Sequence, residues 1–190
     1  KTVKGFQFYG AKSREIEKST KVKARVVAHA LRDLADHASN VLIMGHRNGD
    51  ADSLGASVGL FRALHDRKAD VYIAIDRGHN NAHMILDSLL EREIYQERII
   101  GEDRALNLID EGTLLVVVDT HRPSMVEFKD VLKNIRDVVL IDHHRRSEEF
   151  IENTVLTYHE PYASSSSEMV TEILQYFADG QNLDGYEAES

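Results

Sequence analysis

Three short stretches of the chain combine carboxylates and imidazoles in ways that could hold divalent cations. They are His46-Arg47-Asn48-Gly49-Asp50-Ala51-Asp52, Asp119 at the end of a very apolar run, and Asp142-His143-His144. Each has an ordinary explanation when taken alone. A loop of Asn, Gly and Asp is commonly just a turn, and acidic residues ahead of a helix opening at Ser53-Leu54 are welcome at its positive end. Asp119 is harder to explain away, because a carboxylate ending an apolar strand is costly unless a cation or several donors meet it. In Asp142-His143-His144 the carboxylate sits where it could orient a ligating imidazole; a solvated loop is the plainer alternative. Taken together, the residues suit two divalent ions bridged by a central carboxylate, an arrangement that clamps a phosphate and activates a water as hydroxide for in-line attack. The chain has no cysteine, so imidazole and carboxylate are the available ligands. That set suits manganese, magnesium, iron or zinc, and the hard oxygens favour the first two. The run Ser164 to Ser167 precedes a helix whose N-terminus could help hold a substrate phosphate, with Ser165 and Ser166 as donors. Plain capping competes with that reading, since Ser165 and Glu168 have capping-box spacing.

These clusters can share a site only if the fold gathers them. From Ser39 onward, short β-branched runs alternate with helical periodicity, the pattern of an α/β domain with a parallel sheet and helices on both faces. Five strands are expected, at Val41 to Met44, Asp70 to Ile75, Thr113 to Val118, Val138 to Ile141 and Asn153 to Tyr158. Helices are expected at Ser53 to Asp66, Asn80 to Glu91, Ser124 to Asn134 and Ser165 to Phe177. The two prolines, Pro123 and Pro161, fall in connections just ahead of expected helices. All three clusters then lie at carboxyl ends of strands, where open parallel sheets build their sites.

The first forty residues read differently. Thr2 to Tyr9 is a strand candidate, Gly10 to Ser19 is polar, and Val22 to Ala38 carries a helical stripe of Val26, Val27, Ala30, Leu31 and Leu34. That helix is either an ordinary first packed helix or a link to an upstream domain. The chain opens at Lys1 with no initiator methionine, so it is expected to be a piece of a longer protein.

Composition narrows the function. A net charge of −9 argues against a basic face that tracks a long nucleic acid. Apolar runs such as Leu114 to Val118 are too short to cross a bilayer, and no signal peptide is visible, so a soluble, cytoplasmic chain without direct membrane contact is expected. His37, His65, His79, His83, His121 and His159 lie outside the clusters and are read as surface or packing residues. His121 is singled out only because it stands two residues after Asp119.

The motifs His46-x-Asn48-x-Asp50-x-Asp52-Ser53-Leu54-Gly55, Val118-Asp119-Thr120 and Asp142-His143-His144-Arg145 resemble those of the DHH phosphoesterases. Within that superfamily the chain is most similar to the cyclic di-AMP phosphodiesterases. The stretches that carry this are Phe6 to Gly10, Lys21 to Val26 and His121-Arg122-Pro123-Ser124. The resemblance implies three segments: residues 1–20 as the tail of a degenerate GGDEF domain, 21–38 as a linking helix, and 39–190 as a DHH domain. It implies that His46, Asp50 and Asp119 hold one manganese ion and that Asp52, Asp119 and His143 hold the second, with Asp119 bridging. His144 would contact the scissile phosphate, Asp142 would orient it, Arg145 would be a further phosphate contact and Asn48 would support the site as a substrate-binding residue. Gly49 stands where the family usually has proline. A fourth motif aspartate and a DHHA1 subdomain are expected beyond Ser190, so this stretch alone should hold its second metal weakly and hydrolyse poorly. The implied activity is hydrolysis of cyclic di-AMP to linear pApA within a membrane-anchored protein that forms a homodimer. The alternatives are a nano-RNase-like enzyme cleaving linear dinucleotides or short oligonucleotides, and a nucleotide-binding module without catalysis.

Overall fold

In a computed structural model, residues 9–67 and 70–177 are described, with side chains from residue 21 onward. Six parallel strands form one sheet in the order β3-β2-β1-β4-β5-β6. They are β1 (Val41–Met44), β2 (Val71–Ala74), β3 (Ile99–Ile100), β4 (Leu114–Val118), β5 (Asp137–Asp142) and β6 (Leu156–His159). The helices are α1 (Tyr9–His37), α2 (Ala51–His65), α3 (His83–Leu90), α4 (Glu93–Gln96), α5 (Glu102–Leu108), α6 (Lys129–Asn134) and α7 (Ser166–Phe177). The strand order reverses direction between β1 and β4, which pair in register Val41 with Leu114 through Met44 with Val117. Ligand crevices of parallel sheets open at such a switch point.

The strands are apolar on both faces because helices cover both. Val41, Ile43, Val116, Val118, Val139 and Ile141 belong to a core shared with α1, α2, α3 and α7. Leu42, Met44, Leu115, Val117, Val138 and Leu140 belong to the opposite core, with α5 and α6. Alternation along each strand divides the residues between the two layers. Helix α1 buries Ala24, Val27, Ala28, Leu31 and Ala35, whereas Val26 is 62% exposed. Its inward stripe is therefore turned from the expected one toward alanines, whose small side chains let the helix lie close against its neighbours. The expected strand at Thr2 to Tyr9 falls outside the described residues, apart from Tyr9, which opens α1.

The other departures have local causes. Ser124 to Glu127 do not join α6, because Val126 bridges His46 and Met125 O accepts the Arg47 N–H at 2.8 Å. Asn81 and Ala82 donate their N–H groups to Gly49 O, at 2.8 and 3.3 Å, so α3 starts only at His83. Asn153 has φ 58°, which no strand residue adopts, and β6 starts at Leu156. Strand β3 is two residues long, too short for a periodic signal. Among the described residues, no helix is long and apolar enough to cross a membrane.

Candidate metal centre

The chain leaves β1 at Gly45. A Cβ at that position would fall 1.9 Å from Ser53 Oγ, so glycine lets the loop fold back onto the first turn of α2. Asn48 takes φ 57° in this loop, and Asp50 closes it as the N-cap of α2, with Oδ1 accepting from Asp52 N–H and Ser53 N–H at 3.0 Å each. His46 Nδ1 lies 3.0 Å from Arg47 O. Nε2 is thereby turned toward Asp119 Oδ2 at 3.4 Å and Asp50 Oδ1 at 3.7 Å.

Strand β4 delivers Asp119 with φ 60°, a left-handed conformation that is uncommon outside glycine and concentrated at functional positions. The residue is 2% exposed. Its Oδ1 accepts the Ser166 hydroxyl at 2.9 Å and lies 3.5 Å from His143 Nε2 and 3.7 Å from His144 Nδ1. Its two oxygens thus face two different groups of donors. Asp52, on the first turn of α2, sits 3.6 Å from His143 Nε2 and accepts the first amides of α7, Ser166 N–H at 2.9 Å and Ser167 N–H at 2.8 Å.

The buried groups of this cluster shift one another's titration. The Asp119 hydrogen bond, outweighing burial and aided by the Arg47 carbonyl, pushes His46 up to about 9. Burial, with Asp52 nearby, raises Asp119 against the opposing bonds from His46 and Ser166. Both shifts follow from crowding an imidazole and carboxylates into one buried cluster. Potential ligand atoms of His46, Asp50 and Asp119, and separately of Asp119, His143 and His144, lie within 4.8 Å of one another. The donor chemistry fits hard or borderline divalent ions. Asp52 would be raised by burial, but the Ser167 and Ser166 amides hold it below the usual carboxylate range.

Asp142 lies behind this cluster and is fully buried. Burial alone would raise it, yet hydrogen bonds from His144 and His121 keep it low. His144 Nδ1 meets Asp142 Oδ1 at 2.8 Å. His46, Asp50, Asp119 and His144 open onto a cleft of about 550 Å³ that Arg122, Met125 and Arg145 also line.

The structure thus brings together His46, Asp50, Asp52, Asp119, His143 and His144, with Asp142 buried beneath and Arg145 at the cleft. Asn48 is exposed and its carbonyl accepts from Asn81 Nδ2 at 2.8 Å. The amide and hydroxyl of Ser166, expected to face a substrate phosphate, face Asp52 and Asp119 instead. Ser165 Oγ accepts the Glu168 N–H at 3.0 Å, and Glu168 accepts the Ser164 N–H at 2.8 Å. The capping explanation accounts for Ser165. Sequence reasoning missed Ser167, whose partner is 115 residues away, and it treated His121 as packing. Arg122 appeared only within a family motif and Met125 only inside an expected helix, although proximity to Asp119 could have marked both as cleft residues.

The model of the DHH family N-terminal domain matches residues 40–189. The chain is 45% identical over 172 residues to the cyclic-di-AMP phosphodiesterase GdpP of Geobacillus thermodenitrificans, and 42% identical over 172 residues to GdpP of Bacillus subtilis. Both matches cover 90% of this chain and 26% of the relative, so the chain spans about a quarter of the length of these relatives. An exopolyphosphatase-related protein of Bacteroides fragilis shares the fold, with a TM-score of 0.64 and 22% identity, covering 80% of this chain and 44% of that one. By its motifs, its parallel sheet and the match over most of its length, this chain belongs to the DHH family and carries that family's N-terminal domain.

Proposed function

We propose that this chain is the metal-binding part of a manganese-dependent phosphodiesterase that hydrolyses cyclic di-AMP to linear pApA. The observation that carries this reading is the double-faced Asp119, with His46 and Asp50 on one side and His143 and His144 on the other, Asp52 standing 3.6 Å from His143. A carboxylate so placed suits two divalent ions, which when bound supply Lewis acidity and water activation to phosphoryl chemistry. The chain's own residues do the rest. Asp52 is fixed by the α7 amides. His144, with Nδ1 on Asp142, keeps Nε2 for a phosphate oxygen. Arg122 and Arg145 bring positive charge to the same cleft, suited to a dinucleotide phosphate. The choice of cyclic di-AMP follows from the activity for which the two GdpP relatives are named.

The test is a hydrolysis assay with manganese on the chain extended through its next domain, offering cyclic di-AMP, pApA and inorganic pyrophosphate separately. Conversion of cyclic di-AMP to pApA is expected. Turnover of pyrophosphate alone would overturn the reading, and turnover of pApA alone would replace it with a linear-dinucleotide enzyme. Changing Asp142, His143 and His144 together to alanine should abolish activity.

A further inference from the structure

His121 is 1% exposed; like His144 it lines the cleft, and the two imidazoles meet opposite oxygens of Asp142. An ionised carboxylate only accepts, so His121 Nδ1, hydrogen-bonded to Asp142 Oδ2, is the donor there. At the other side of the ring, Nε2 meets Ser147, with Oγ at 2.9 Å and N–H at 3.1 Å. The other carboxylate oxygen, Oδ1, accepts from His144 Nδ1 at 2.8 Å and from His144 N–H at 3.3 Å. With Nδ1 of His144 committed, its Nε2 is left for a ligand. Phe150 stacks on the His121 ring at 5.2 Å, and His159, edge-on to it, ties the His144 carbonyl at 2.6 Å.

From this continuous chain of donors and acceptors we propose that His121 is a positioning residue: by donating to Asp142 it fixes the carboxylate that sets the direction and tautomer of His144. The inference rests on the reading that His144 meets the substrate phosphate. The competing role is structural, since His121 also pins the 144–151 segment through Ser147 and through Ile151 N–H, which donates to His121 O at 2.8 Å.

Two amide substitutions separate these roles. His121→Asn retains a donor at the Nδ1 position, and His121→Gln moves the amide to the Nε2 position, keeping the Ser147 side and losing Asp142. The expected result in the extended chain is a kcat within about threefold of wild type for Asn and a fall of about 10–100-fold for Gln, with KM within about twofold in both. Imidazole ¹⁵N spectra of the metal-free 190-residue chain supply a readout independent of substrate. His144 should hold a single Nδ1–H tautomer in wild type and His121→Asn, and average between tautomers in His121→Gln. Equal kcat in the two variants, or a His144 spectrum unchanged by Gln, would overturn the proposal and leave His121 as a loop pin. If the wild-type chain fails to hydrolyse cyclic di-AMP, the functional reading falls, while the His144 spectra still decide this one.

Discussion

Ser167 and Asp52 are far apart in sequence, yet they hold each other by two routes: Ser167 N–H donates to Asp52 Oδ1 at 2.8 Å, and Ser167 Oγ donates to Asp52 O at 2.9 Å. A candidate metal ligand at the start of α2 is thereby the anchor for the start of α7. Helix N-terminal amides and a carboxylate are natural partners, so the site and the fold share these bonds.

Replacing Asp52 with asparagine should therefore destabilise the chain even without metal. One side-chain oxygen becomes an NH₂ facing an α7 amide, and the charge opposite the helix dipole is lost. About 1–2 kcal/mol is expected, or a fall in Tm of roughly 2–8 °C at this chain length. Thermal unfolding in EDTA checks it. An unchanged Tm would mean that the α7 amides need no carboxylate.

Gly45→Ala should cost about 1–3 kcal/mol, because its Cβ would lie 1.9 Å from Ser53 Oγ. Ser53→Ala removes that oxygen and leaves the Ser53 Cβ at 3.3 Å. The double variant should recover at least half of the loss, a coupling that a double-mutant cycle in urea measures. Additive losses would place the strain elsewhere in the loop.

The convergence of these side chains was legible because its signals are local. Each acid or histidine follows a strand, and strand ends in a parallel sheet converge. His46, Asp50, Asp119 and His143 could be gathered on that argument before any coordinates. Contacts between distant elements carry no such signature. Nothing in the serine run reveals that Ser166 and Ser167 face Asp52 and Asp119, and nothing near His121 reveals that it meets Ser147 and Asp142. The α1 stripe was misread for a related reason: Val26 is more apolar than Ala24, but closeness of helix packing, not hydrophobicity alone, decides which side faces inward.

Metal titration should expose the two faces of Asp119. Asp50→Asn removes a potential ligand from the His46 side alone, whereas Asp119→Asn touches both groups. Calorimetry with manganese should show one site weakened by Asp50→Asn, and all binding weakened about tenfold or more by Asp119→Asn. Equal effects of the two variants would argue against a shared carboxylate.

Glu127 should impose a pH dependence on stability. It accepts the Asp76 N–H at 2.8 Å; burial pushes its carboxyl up to about 7 against that hydrogen bond, with the Asp76 charge raising it further and His46 and His79 opposing. Unfolded, it titrates near 4.5. Between those values the folded chain keeps a proton that the unfolded chain gives up, so Glu127's contribution is fully present below about 4.5 and is lost as pH rises to about 7. Glu127→Gln keeps the acceptor for Asp76 and removes the charge. It should leave stability unchanged near pH 4 and raise it at pH 8 by on the order of 1–2 kcal/mol, after allowing for partial exposure. Urea unfolding of both proteins from pH 4 to 8 measures the difference. A gain of equal size at both ends would mean that Gln improves packing and that the buried charge carries no cost.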